Sequence, residues 1–394
     1  MTTQAGTRGG MVLPLWALGF RPFFLAAAAW AALALLLWII ALQSGASLPS
    51  RFDPLSWHIH EMLFGFVPAA IAGFLLTAIP TWTGRPPIRG HFLAGLAGIW
   101  LLGRFAVLLS GKLPIWISEI IDVSFLFFLS AVAACEIAIS RNRRNIAIPL
   151  PVLVLGVANL LMHLEAAGVA VPAGLGWRLG LAAITVLISV IGGRIIPAFT
   201  RNWLGSRNSQ ALPAPHGLVD SVGMGLLHGG LIGWALVPDS EPIGILLILA
   251  AIVNFLRLLR WKGARTLAEP LLAILHIGFL WLVSSAALLG ASMLTDNIPL
   301  SAAIHAMTAG TIGTTVLAVM TRVSLGHTGR ALHADQATSL IYILVTAAGV
   351  ARVFAPFEPA HYTALLEISA ALWIGAFAAF GIRYAPLLFS SRIK

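Results

Sequence analysis

The chain has 394 residues, of which 59% are hydrophobic and 10% charged, and its mean hydropathy of +0.93 lies far above the soluble range. Nearly all of that length is needed for a membrane bundle, so a separate soluble domain is not expected. The lone Cys135 excludes an internal disulfide, a four-cysteine iron–sulfur centre and a two-cysteine copper site, and the net charge of +10 is spread between apolar segments, so it does not mark a nucleic-acid face.

Taken in chain order, Arg8 is the only basic residue before the first apolar stretch, and no small-residue cleavage site follows a short apolar core. That stretch is expected to be a span and not a removed signal peptide. Hydropathy predicts an all-α integral membrane protein, a single transmembrane domain over 1–394. Twelve transmembrane helices are expected near 19–43, 57–81, 90–109, 114–140, 145–168, 174–200, 217–237, 241–260, 268–289, 299–322, 335–355 and 361–389. On this layout nineteen of the 24 Lys and Arg fall on one side, and Arg51, Arg104, Lys112, Arg178 and Arg352 on the other. The positive-inside rule then puts both termini in the cytoplasm.

Ionisable residues within spans are costly, and each is a functional hypothesis. The second span opens with Trp57-His58-Ile59-His60-Glu61-Met62, in which four residues can ligate a metal. On a helix, His58 and Met62 share a face while His60 points about 200° away from His58, so the two histidines serve different sites or only one is a ligand. Arg104 ends the third span, and His163 beside Glu165 nears the end of the fifth. His228 lies mid-way along the seventh, followed by Gly229-Gly230; His276 is in the ninth, His305 in the tenth, and Arg352 ends the eleventh. Pro68 and Pro197 are expected to interrupt the second and sixth spans.

Two segments match 245 residues apart: His60 is followed after twenty-two residues by Thr83-Gly84-Arg85, and His305 after twenty-two by Thr328-Gly329-Arg330. Met62 and Gly65 fall opposite Met307 and Gly310. Thr200-Arg201-Asn202-Trp203-Leu204-Gly205 and Thr321-Arg322-Val323-Ser324-Leu325-Gly326 share a further pattern. The spacing predicts three pseudo-threefold four-helix units, about 1–144, 145–266 and 267–394. His60 and His305 are expected to face each other as axial ligands of a haem, with Arg104 and Arg352 as forks for its propionates. Copper is expected at His58 and Met62, with Glu61 orienting a ligand and His163 or His228 completing the set.

The same residues resemble the NnrS family over essentially the whole chain. The marks are Gly19-Phe20-Arg21-Pro22-Phe23-Phe24, the run from Trp57 to Phe66, Trp82-Thr83-Gly84-Arg85-Pro86-Pro87, Gly193-Arg194-Ile195-Ile196-Pro197 and Leu325-Gly326-His327-Thr328-Gly329-Arg330. The resemblance implies a protein of the bacterial inner membrane containing haem b and copper, concerned with nitric oxide metabolism and resistance to nitrosative stress. Twelve spans with histidines on the second and tenth also resemble the catalytic subunit of haem–copper oxidases. Here, however, the sixth span has no histidine, the seventh has His228 alone and the tenth has one, a departure from the binuclear centre of that class. Three functions stay open: binding or transforming NO or a nitrosylated species at a haem, transport of an NO-derived adduct or a metal, and electron transfer alone.

Overall fold

The computed structural model describes residues 13–393; Arg8 and Lys394, counted above with the basic side, lie outside the described residues. Within them the chain is helical, without strands. The long helices, in order, are α1 (Phe20–Ser44), α2 (Pro54–Thr83), α3 (His91–Leu108), α4 (Ile115–Ile139), α5 (Pro149–Ala166) and α6 (Leu175–Gly205). They continue with α7 (Leu218–Leu236), α8 (Glu241–Arg260), α9 (Pro270–Ser292), α10 (Leu300–His327), α11 (Gln336–Phe354) and α12 (Tyr362–Phe389). Eleven of the described helices are long and apolar enough to cross a membrane. The nineteen-residue α7 is not among them, because Asp220, His228 and five glycines dilute its apolar residues.

Sequence signals set the boundaries of α2. Asp53 accepts from the N–H groups of Leu55 at 3.0 Å and Ser56 at 3.1 Å, with Pro54 in the first helical position. Gly84, at φ +70°, ends the helix in the left-handed conformation that glycine adopts without strain. Its counterpart in the matching segment, Gly329, stands at φ +79° just beyond α10.

A second likeness was not visible in the sequence. Directly after His60 the helix widens into π-helical turns over Glu61–Phe66, and directly after His305 it does so over Ala306–Gly313. Pro68 has no N–H to return to the preceding turn, which favours the wider winding in α2. In α10 the Thr311 hydroxyl reaches back five residues to the Ala306 carbonyl at 3.1 Å and occupies the widened turn. By contrast α6 is helical through Pro197, without π-helical turns.

Successive helices pack against each other, and α1 packs on α12, so the chain closes on itself. The closure is fastened by Arg21, whose buried guanidinium donates to the carbonyls of Leu388 at 2.7 Å and Ser390 at 2.6 Å. Helices α2, α6 and α10 touch one another inside this circuit. Of the candidate spans, α2 is the most buried, and it carries His58, His60 and Glu61.

Candidate functional site

Five consecutive helices contribute to one buried polar cluster. His60 and Glu61 come from α2, Trp30 from α1, Arg104 from α3, Asp122 from α4, and Asn159 and His163 from α5, the last two four residues apart on one face. His60, Glu61, Arg104, Asp122, Asn159 and His163 are all buried. His60 Nδ1 lies 3.0 Å from Glu61 Oε1, and its Nε2 is 2.8 Å from Asn159 Oδ1 and 3.1 Å from Asp122 Oδ2. His163 Nε2 is 3.0 Å from the same Asp122 oxygen, which also accepts from Asn159 Nδ2 at 2.8 Å.

Arg104 pairs with both carboxylates. Its Nη1 donates to Glu61 Oε2 at 2.8 Å and Oε1 at 2.9 Å, and its Nη2 to Asp122 Oδ1. Trp30 Nε1 adds a bond to Glu61 Oε2 at 2.6 Å. Charges this deep are tolerated only when paired and hydrogen-bonded. The cluster meets that condition because Gly65 has no side chain. A Cβ there would stand 2.6 Å from Arg104 Nη1 and 2.7 Å from both Glu61 Oε2 and Trp30 Nε1.

His58 belongs to a different place. Its ring stacks on Trp38 of α1, with centroids 4.2 Å apart. Arg352 of α11 lies within electrostatic reach of both His58 and His305, and His58 within reach of His305. His305 Nδ1 donates to the Ser301 carbonyl at 2.6 Å, which leaves its Nε2 without a proton. Among the described residues neither His58 nor His305 has a hydrogen-bond partner for Nε2; His58 Nδ1 and Arg352 Nη1 are buried and likewise unpartnered. Unsatisfied polar atoms are rare in native interiors, and here two lie in one locality.

The structure thus groups His305 with His58 and Arg352, and His60 with His163. His60, expected to pair with His305, lies with Glu61, Asn159, Asp122 and His163, and both its ring nitrogens are engaged. Arg104 is committed to Glu61 and Asp122. His228 Nε2 lies 3.2 Å from Ser189 Oγ, and His276 Nε2 lies 2.9 Å from Thr200 Oγ1, each apart from both histidine groups. Met62 is half-buried on the turn after His58. Among the described residues, one group of His and carboxylate donors has its ligand atoms within 4.8 Å of one another: His60, Asp122 and His163.

Asp122 and Asn159 are central here and were not singled out from the sequence. Asp122 carried a usable signal, a carboxylate within an apolar span; Asn159 is neutral and carried none.

Many apolar helices around buried histidines, carboxylates and an arginine define a polytopic helical membrane protein with polar centres inside the bundle. Within that class the chain belongs to the NnrS family, which it matches as NnrS protein over residues 14–392. No curated protein matches the chain.

Proposed function

We propose that the chain is a haem b protein of the bacterial inner membrane that binds or transforms NO or a nitrosylated species. NnrS family membership supports a membrane protein of the nitric oxide response. The observation that carries the haem reading is the buried, unpartnered Nδ1 of His58 and Nη1 of Arg352, with His305 held by Ser301 so that its Nε2 carries no proton.

These residues fit the group. Neutral imidazole is a common haem ligand, and the Ser301 bond fixes His305 in the tautomer that presents a bare Nε2. Trp38 holds the His58 ring by stacking, and Arg352 offers a carboxylate a fork of donors. When bound, haem supplies an iron able to take a diatomic ligand or an electron. The chain's own part is to orient two rings and supply a counter-charge.

Were both imidazoles to hold the haem, the same residues would suit a second reading, electron transfer alone. Titrating the purified protein with NO and recording its absorption spectrum separates the two. A haem spectrum that shifts with NO supports the first reading; one unchanged by NO supports the second. Protein purified without haem from haem-replete cells would remove both.

Of the residues expected to hold copper, His58 and Met62 lie one turn apart on α2, His163 lies with Asp122 and His228 with Ser189. The meeting of α2, α6 and α10 and the matched π-helical turns support the proposed three-unit order, and the basic-residue asymmetry supports cytoplasmic termini.

A further inference from the structure

We propose that His60 Nε2, His163 Nε2 and Asp122 Oδ2 form a binding site for one divalent first-row metal ion, with Asn159 Oδ1 as a fourth donor. The site is separate from the haem place at His58 and His305, and it stands or falls independently of it.

The hydrogen-bond inventory around His60 requires a cation. Its Nδ1 faces the Glu61 carboxylate, an acceptor, at 3.0 Å. Its Nε2 faces two more oxygens, Asn159 Oδ1 at 2.8 Å and Asp122 Oδ2 at 3.1 Å. The Asn159 amide cannot be turned round, because its NH2 is used by Asp122 at 2.8 Å. A neutral imidazole carries one proton, which Glu61 takes, so Nε2 would direct a lone pair at two acceptors. Something positive belongs between them, either a second proton or a metal.

The donor set is one a metal would take. Two atoms each about 2.1 Å from an ion lie about 3.0 Å apart at a right angle and about 3.4 Å apart at a tetrahedral one, so the spacing admits an ion as well as an N–H···O bond. Asp122 Oδ2 is 3.1 Å from His60 Nε2 and 3.0 Å from His163 Nε2. Glu61 on the far nitrogen of His60 is the carboxylate–histidine–metal pattern that fixes the tautomer and raises ligand basicity. Arg104 binds the other oxygen of Asp122, so Oδ2, which accepts from Asn159 Nδ2, is the oxygen that faces the two histidines. Two carboxylates against one guanidinium leave a net negative charge for a cation to offset. Two imidazoles with oxygen donors and no thiolate suit Cu2+, Zn2+ or Fe2+, with Cu2+ the tightest of the series.

The test uses the full-length protein in detergent, stripped with a chelator and then dialysed against Cu2+ or Zn2+ in separate samples. Metal per chain is measured by plasma mass spectrometry, and haem by the pyridine haemochrome in the same samples. One ion per chain is expected, with paramagnetic resonance of the Cu2+ form showing coupling to imidazole nitrogens. Affinity is expected to fall more than about tenfold in Asp122→Asn and in His163→Ala, while His305→Ala loses haem and keeps the ion. The wild-type resonance spectrum decides the matter even if a variant fails to fold. Absence of stoichiometric Cu2+ and Zn2+, a Cu2+ spectrum without nitrogen coupling, or unchanged affinity in folded His163→Ala each overturns the site and leaves a proton at Nε2. A chain that takes up haem but no ion overturns this site alone, and the reverse result overturns the haem reading alone.

Discussion

Ser301 fixes the chemistry of His305. By accepting from Nδ1 at 2.6 Å from one helical turn back, its carbonyl decides which nitrogen of the ring is left to ligate. His58→Ala and His305→Ala, and above all the double variant, are therefore expected to lose most of the bound haem, whereas His60→Ala keeps it. Haem per chain, measured in membranes and after purification, reports the outcome. Full haem in the double variant would return the assignment to His60 or His228.

Gly65 makes room for three side chains at once. Gly65→Ala forces Arg104, Glu61 and Trp30 apart, and overpacking of this kind costs about 1–3 kcal/mol. A lower unfolding temperature in detergent is expected. If the variant melts with the wild type, the three side chains do not close over this position.

Arg104→Gln leaves Glu61 and Asp122 without their guanidinium. Removing one partner from a buried ion pair costs about 3–5 kcal/mol, so a marked loss of folded yield and melting temperature is expected. Adding Glu61→Gln removes one of the stranded charges and should restore part of that loss, a coupling that a double-mutant cycle measures. Strict additivity would show that the two residues act separately.

Asp335, in the connection before α11, gives a pH dependence. Partial burial opposes its ionisation, but bonds from the Thr338 hydroxyl and N–H and from Arg383 outweigh this and hold the carboxyl down to about 2. A depressed value in the folded state means the contribution is complete above the unfolded value of about 3.9 and is lost as pH falls towards 2. Acid should therefore destabilise the wild type more than Asp335→Ala, which at neutral pH loses a helix cap worth about 0.5–2 kcal/mol. Melting curves at pH 7 and pH 3 test this, and parallel shifts in the two proteins would refute it.

Much of the bundle could be read from the sequence because lipid demands long apolar helices, and their length and composition are local properties. The rotation of His58 against His60 was legible for the same reason, since helical period fixes it. The partners were not. Whether His305 meets His58 or His60 depends on how α10 is turned towards α2, and whether Arg104 serves a propionate or Glu61 depends on how α3 packs. Neither angle is written in either helix alone. His58 and Met62 likewise share a turn, yet the other histidines placed with them for copper lie with Asp122 and Ser189. Asp122 was overlooked although the rule that drew attention to the histidines applied to it equally.

The fastening of Arg21 to Leu388 and Ser390 also has a consequence for biogenesis. Helix α1 leaves the ribosome well before α12, yet it holds a guanidinium whose carbonyl partners stand at the end of α12 and just beyond it. Throughout synthesis α1 must wait in the membrane with that charge held by lipid headgroups or water, and only the arrival of α12 dehydrates it. Docking of α12 therefore seals this end of α1, and a chain halted before Leu388 keeps an open seam between α1 and lipid.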